Sequence, residues 1–530
     1  MVAERDGTER VRAAELIGAL CLATDVAMGF PFEHGLHATL IATRLGRKLD
    51  VDHRSASETY YACLLSHAGC TTEAHVAAEV FGGSLTTSFN PLMYGSAREV
   101  LTGLLRALPD PGSPKLVRLL ETARRFPRMA REARPALSAG CEVAGMLADR
   151  VGAPPRVPPM LAFLTERWDG LGPLRRARGE QIPLPMRIVH VASDAAFQRL
   201  LGGPEHAARL VRERAGHAFD PDVAACLVEG AFELLALDEA TSAWEELLAL
   251  EPRPPLMLEG EALDRALAAM GNFADLISPF LAGHSTGVGE LAGAAARICG
   301  IEPEGETAIR RAGLLHDLGR VGIHPRIWQK PGPLTADEWE HVRLHPYHGE
   351  RVLSRSPFLR ALSPIAGAHH ERLDGSGYHR GSSGPELNLP ARVLAAADAY
   401  HAMTEPRPHR RALPVRRAAQ VVADDVRAGR LDPEAVAAVL EAAGQTVPHL
   451  EHPAGLSKRE AEVVAMIARG LQTKEVAHAL GISVKTADRH IQNAYRKIGV
   501  SSRAAATLFA VEHGLVGWGE FPIARSAGRF

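Results

Sequence analysis

The sequence predicts a mostly α-helical protein built from two tandem copies of one helical domain, the first worn, followed by a smaller module of short helices. Three observations predict it. Long Ala/Leu/Val/Arg segments place their apolar residues at helical spacing, and alternating β-branched runs are few. Five short motifs from residues 1–250 recur in the same order in the region after it. Near the C-terminus, Gly470 and Gly481 cut an apolar-periodic stretch into short pieces.

The five echoes justify the first copy. His34-Gly-Leu-His-Ala-Thr begins a helix much as His284-Ser-Thr-Gly does, and Leu64-Leu-Ser-His67-Ala68-Gly69 falls where Leu314-Leu-His316-Asp317-Leu-Gly319 does. Glu166-Arg-Trp-Asp-Gly-Leu-Gly172 echoes Glu371-Arg-Leu-Asp-Gly-Ser-Gly377, and the Pro-Met-Arg187 stretch echoes Pro-Ala-Arg392. Phe219-Asp-Pro-Asp echoes Leu431-Asp-Pro-Glu. Residues 85–135, punctuated by Asp110-Pro-Gly-Ser-Pro, read as an insertion within this copy. Residues 255–283 are expected to form the helix leading into the second copy.

The second copy, residues 251–445, carries the chemistry. Gly313-Leu-Leu-His-Asp-Leu-Gly-Arg320 ends an apolar run in an adjacent His316-Asp317 pair. Such neighbours leave a helix about 100° apart, so one metal ion in the crook can take both. Upstream lies Ser278-Pro-Phe-Leu-Ala-Gly-His284. Downstream come Lys330-Pro-Gly-Pro-Leu-Thr, His345-Pro-Tyr-His-Gly349, His369-His-Glu-Arg-Leu-Asp-Gly-Ser-Gly-Tyr378 and Ala391-Arg-Val-Leu-Ala-Ala-Ala-Asp398. Imidazoles and carboxylates at this density suit borderline first-row metals.

In this ordered set, residues 277–440 resemble an HD-GYP phosphohydrolase domain. The resemblance implies that His284, His316, Asp317 and Asp398 hold one divalent ion and His345, His369 and His370 a second. Asp317 would bridge the two, and Fe or Mn would be the expected metals. It implies catalytic roles for Asp317 and Arg320, and cleavage of cyclic di-GMP. Some relatives carry a third-metal glutamate where Phe280 stands, so two metals are expected. Arg320 replaces the family's lysine, His379 a proline, and His401 an aspartate often found there; these touch substrate choice and rate more than metal binding. The first copy lacks the set: Ala68 stands for Asp317, Cys141 for His345, Leu164-Thr165 for His369-His370 and Ser193 for Asp398, with Asp194 one residue out of register. It is expected to hold no metal pair and to serve packing, dimerisation or ligand sensing.

A linker is expected at 446–455, a module at 456–516 and a tail at 517–530. In the module, Ser457 and Glu460 form a capping box, two short helices break at Gly470 and Gly481, and a third runs from Val484 to Ile498 with Ser483 as its cap. This resembles a LuxR-type helix-turn-helix. The resemblance implies a dimer on double-stranded DNA, contacted through Lys474, Lys485, Thr486, Asp488, Arg489, His490, Asn493 and Lys497. Asp488 stands where the family has lysine, and Ala487 where it has valine; an acid there repels phosphate but accepts from a cytosine amino group.

The 530-residue length suits about two to four domains. A net charge of −2 gives no global basic field, so DNA contact must come from a local patch. The six cysteines form no C-x-x-C pair, no apolar run reaches a membrane span, and no signal peptide is legible, so the expected protein is cytoplasmic, reduced and membrane-free. The expected function is a cyclic-dinucleotide phosphodiesterase coupled to a transcriptional output. The alternatives are a non-hydrolysing nucleotide sensor on a transcription factor, or a hydrolase of another phosphate ester with a protein-contact module.

Overall fold

The computed structural model describes residues 9–69, 93–108, 114–237, 242–444, 454, 456–512 and 515. The chain divides into two compact units, Met1–Ala266 and Leu267–Phe530. The division falls within the helix Gly260–Asp275, later in the chain than the 250/251 boundary read from the sequence.

In the first unit, strand Arg10–Arg12 pairs antiparallel with Met257–Glu259, with Val11 opposite Leu258. The helix Ala13–Met28 follows, then His34–Lys48 and His53–Leu64. The long helix Leu184–Arg214, broken at Gly203 where φ is 82°, closes over His34–Lys48. Leu36, Leu40, Ile41 and Leu45 from one helix meet a core that includes Ile188, Val189 and Val191 from the other, all essentially inaccessible to water. Burying each such side chain contributes about 1.5–3 kcal/mol. The second unit repeats the plan with Gly260–Asp275, His284–Ile298, Pro303–Leu315, His345–Leu353, Pro357–Ala366, Leu389–Thr404 and Pro433–Ala442.

The repeat is visible at the level of single bonds. Asp25 accepts the backbone N–H of Gly35, and Asp275 accepts that of Ser285, so each copy pins the start of its equivalent helix from the helix before. Before each helix stands a residue with positive φ, Glu33 at 76° and Gly283 at 80°. Trp168 N–H donates to Ala218 O, as Leu373 N–H donates to Arg430 O. Arg187 pairs with Asp220 at 2.6 Å and Arg392 with Asp432 at 3.2 Å, each aspartate also capping the helix that follows it. Gly172 and Gly377 are both required by the same turn: a Cβ on either would lie 2.6 Å from the carbonyl of Thr165 or His370.

The insertion holds more order than its composition suggests, and one expectation is corrected. The Pro/Gly-rich stretch near residue 110 gives way to a 36-residue helix, Lys115–Arg150, with Pro127 and Pro135 inside it. Each proline removes one helical hydrogen bond, but both face solvent, where water takes the freed carbonyl. The correction concerns Gly69, which approaches the backbone of Gly140 as Gly319 approaches that of His345, so the equivalent of His345 falls one residue before Cys141. The linker at 446–455, apart from Ala454, lies outside the described residues, as do the tail at 517–530 and the 85–92 and 109–113 parts of the insertion. Among the described residues five cysteines are free thiols, and no helix is long and apolar enough to cross a membrane.

Candidate functional site

The helix Pro303–Leu315 runs into His316 and Asp317, after which the chain tightens into a 3₁₀ turn at Leu318–Gly322. Gly319 has a specific reason to lack a side chain: a Cβ there would lie 2.0 Å from His345 O and 2.4 Å from Gly349 N. The close approach brings the helix carrying His345 against the His-Asp turn. Gly319→Ala is therefore expected to push His345 off the site and to destabilise the second unit by roughly 1–3 kcal/mol. A thermal melt together with metal content checks this; an unchanged melt with full metal would contradict it.

Three histidines are oriented by one device. His316 Nδ1 lies 2.7 Å from Gly313 O, His345 Nδ1 2.6 Å from Val342 O, and His369 Nδ1 2.6 Å from Ala366 O. A carbonyl only accepts, so each Nδ1 carries a proton and each Nε2 points inward, presenting a lone pair wherever the ring is neutral. The Asp317 carboxylate receives them on both sides. Its Oδ2 is 2.8 Å from His316 Nε2 and 3.2 Å from His284 Nε2, while Oδ1 is 3.2 Å from His345 Nε2 and 3.5 Å from His369 Nε2. Asp398 Oδ1 closes the first side at 3.3 Å from His284 Nε2, and Asp398 Oδ2 lies 3.6 Å from His370 Nδ1. Six of these seven residues are buried and His370 is half-buried. Arg320 sits beside them, Nη1 2.7 Å from Asp317 Oδ2, its guanidinium 5.3 Å over the Trp328 ring.

This arrangement is suited to holding positive charge, of which the buried Arg320 guanidinium already supplies one. His284 Nε2, His316 Nε2, both Asp317 oxygens and Asp398 Oδ1 are buried without a hydrogen-bond partner. His345 Nε2 and His369 Nε2 face each other at 3.1 Å with their protons on the far nitrogens, so two lone pairs oppose each other. An apolar pocket would make both features costly, and a positive ion relieves both. The seven residues fall into two groupings whose ligand atoms lie within 4.8 Å of one another: Asp317, His345, His369, His370 and His284, His316, Asp398.

The protonation states agree on one side and compete on the other. Burial pushes His345 down to about 4 and also lowers His369 and His370, leaving neutral rings ready to ligate. Burial acts against the charge of His316 as well, but the adjacent Asp317 outweighs it and raises this ring to about 9. For Asp317 itself burial is overcome by Arg320 and His316, which hold the carboxyl well below the usual carboxylate range.

Residues 268–435 match the HD domain family, and residues 454–510 match the bacterial regulatory proteins of the luxR family. The 3'3'-cGAMP-specific phosphodiesterase 3 of Vibrio cholerae is 30% identical across 81% of this chain and 94% of its own length. The chain belongs to the HD-GYP phosphodiesterase family. As a member it is a hydrolase. A crystal structure of a cyclic GMP-AMP specific phosphodiesterase from V. cholerae matches 83% of this chain and 99% of its own, with a TM-score of 0.56 and 26% identity. The cyclic di-GMP phosphodiesterase of Thermotoga maritima is 40% identical, but over 30% of this chain and 43% of its own length. The relationship thus spans most of the chain in the first relative and under a third of it in the second.

Sequence reasoning missed Glu405. It is buried, its Oε2 lies 2.8 Å from His284 Nδ1, and with His401 it forms a third grouping around that ring. A partial signal was present: Asp398, His401 and Glu405 stand at i, i+3 and i+7, a helical spacing, although the helix itself ends at Thr404 and Glu405 is the extended residue that follows it.

In this HD-GYP protein's first copy, the corresponding positions are occupied differently. Asp194 accepts from Arg214 at 2.5 Å and from Gln198, and Arg214 also holds Glu99 at 2.7 Å. His34 stacks on Phe30 with ring centres 4.4 Å apart, and burial lowers it to about 3.

The C-terminal module forms helices at Lys458–Ala468, Thr473–Ala479, Val484–Ile498 and Arg503–Glu512. Ser457 and Glu460 form the expected capping box, and Ser483 Oγ accepts Thr486 N–H at 3.1 Å. Ala487, Ile491 and Ala494 pack inward, leaving Lys485, Asp488 and Arg489 exposed on the long helix and Lys474 exposed on the one before. Thr486, His490 and Asn493 are half-buried beside them. Lys497 differs from the other cations: its ammonium lies 2.7 Å from Glu460 Oε2, which ties the long helix to the capping box.

Proposed function

We propose that residues 251–445 are a two-metal phosphodiesterase that opens cyclic dinucleotides, and that residues 456–516 carry its output to duplex DNA as a homodimer. The observation that carries the first half is Asp317, whose two oxygens face two separate sets of ring nitrogens. In this reading His284, His316, Asp317 and Asp398 hold one ion, and His345, His369, His370 and Asp317 hold the other, Fe or Mn by their mixed imidazole and carboxylate donors. Bound ions of this kind activate water at neutral pH and take up charge on phosphoryl oxygens.

The chain's own residues do the rest. Arg320 keeps a fixed positive charge beside the bridging carboxylate, where a phosphodiester would lie, and Trp328 flanks its guanidinium. Tyr378 packs against His370 with ring centres 4.6 Å apart and planes tilted by 31°, bracing the ring beside the second grouping. Glu371 accepts the backbone N–H groups of Arg380 and Ser382, which shapes the loop containing His379.

The relatives' names supply the substrate class: 3'3'-cGAMP for the one that spans most of the chain, and 3'3'-cGAMP or cyclic di-GMP for those matching shorter parts of it. Metal-reconstituted protein assayed on cyclic di-GMP, 3'3'-cGAMP and a panel of other phosphate esters tests the proposal, with linear dinucleotide the expected product. Binding of either cyclic dinucleotide without cleavage would instead make the chain a nucleotide-sensing transcription factor. Cleavage confined to other esters would overturn the substrate.

The first copy is proposed to do no chemistry. Substituting His67 by alanine is expected to leave turnover within about twofold of wild type, because Asp194 is already bound by Arg214 and Gln198. A tenfold loss with folding preserved would show that this copy still acts on the reaction.

A further inference from the structure

His284 is held unlike the other ring ligands. His316, His345 and His369 each give Nδ1–H to a carbonyl three residues back, whereas His284 stands at the first position of its helix, behind Gly283 in the left-handed region. Its Nδ1 meets the Glu405 carboxylate at 2.8 Å, while its Nε2 is aimed at Asp317 and Asp398. Glu405 is in turn held by Arg407, with His401 packed alongside. Arg407 donates to Oε2 at 2.9 Å while its other nitrogen donates to Phe280 O, and His401 Nδ1 lies 3.4 Å from Oε1. His401 has room only because residue 287 is glycine, where a Cβ would lie 2.2 Å from His401 Nε2.

His284, His401 and Glu405 are close enough to hold a cation of their own. Two facts argue against that use. An ion on His284 Nδ1 would compete for the ring that already presents Nε2 to the Asp317 side, and the Arg407 guanidinium already supplies positive charge to Glu405. A carboxylate accepting the outer N–H of a ligating imidazole fixes its tautomer and ring plane, and makes the inner nitrogen a stronger donor.

We propose that Glu405 is a positioning residue for the metal centre: it locks His284 with Nε2 inward, and Arg407 holds Glu405 in place. This inference rests on the metal-site reading above. Full-length Glu405→Gln preserves size and removes the charge; Glu405→Asp keeps the charge on a shorter arm. Metal-free wild type and variants would be titrated with Mn²⁺ and Co²⁺ against a fluorescent chelator, with the Co²⁺ absorption spectrum recorded and the melting temperature as a check on folding. Glu405→Gln is expected to weaken binding by about 10–100-fold and to alter the Co²⁺ bands, with the metal-free melt within a few degrees of wild type. Glu405→Asp is expected to recover part of that affinity.

His284→Ala serves as the reference. If it loses Co²⁺ affinity while Glu405→Gln keeps wild-type affinity and spectrum, the positioning role is overturned and the metal site stands. If wild type binds no metal, or His284→Ala binds as wild type does, the metal-site reading fails first.

Discussion

Asp317→Ala is expected to lower phosphodiesterase turnover on the order of a thousandfold or more, about 4 kcal/mol in barrier, and to lose most of the bound metal. The reason lies in how this carboxylate is shared. Oδ2 faces His284 and His316 while Oδ1 faces His345 and His369, so one substitution removes a ligand from both proposed ions. Arg320 would then keep its charge without the partner now 2.7 Å away, further weakening the hold on cations. Asp317→Asn separates shape from charge: it retains the volume but offers one neutral oxygen, and is expected to resemble alanine in metal content. Metal analysis of the purified variants, alongside turnover and a thermal melt, decides it. An Asp317→Ala protein with full metal and full activity would sink the site assignment.

Arg489→Ala is expected to weaken DNA binding at specific and random sites alike, while Asp488→Ala narrows the gap between them. Both side chains are exposed on the Val484–Ile498 helix, one residue apart and close to Lys485. In a LuxR-type module that helix enters the major groove, and dimers match paired half-sites. A cation there adds affinity on any sequence. Losing Arg489 should therefore cost about tenfold or more, and flatten the salt dependence by about 0.9 in slope for each phosphate no longer neutralised. Asp488 is expected to work in the opposite sense, repelling phosphate everywhere and accepting from a cytosine amino group where the sequence is right. Isotherms on a selected site and on scrambled DNA at two salt concentrations separate these effects. If wild-type protein shows no salt-dependent DNA binding in any ligand state, the protein-contact role replaces the DNA-binding one. Because Lys497 is engaged by Glu460, Lys497→Ala should lower the stability of the module as well as any affinity for DNA.

Much was legible in the sequence because it is local. Helical periodicity, the Ser457–Glu460 box, the Ser483 cap and the glycines at 470 and 481 act over three or four residues, and the structure places the C-terminal helices where they direct. The tandem repeat was legible because paired motifs such as Arg187–Asp220 and Arg392–Asp432 keep their order in the chain, whatever their separation in space. The metal-type residues were recognisable by identity and order for the same reason.

What only the tertiary structure decided is non-local. Which oxygen of Asp317 faces which rings, and which nitrogen of each histidine carries the proton, depends on carbonyls and helices brought together by packing. Glu405 reaches His284 across 121 residues of chain, a pairing that spacing cannot encode. Arg214 on Asp194 is of the same kind, a partner supplied where a long helix bends back at Gly203. The helix through Pro127 and Pro135 was hidden for a different reason: local propensity disfavours it, and solvent exposure on the folded surface makes it tolerable.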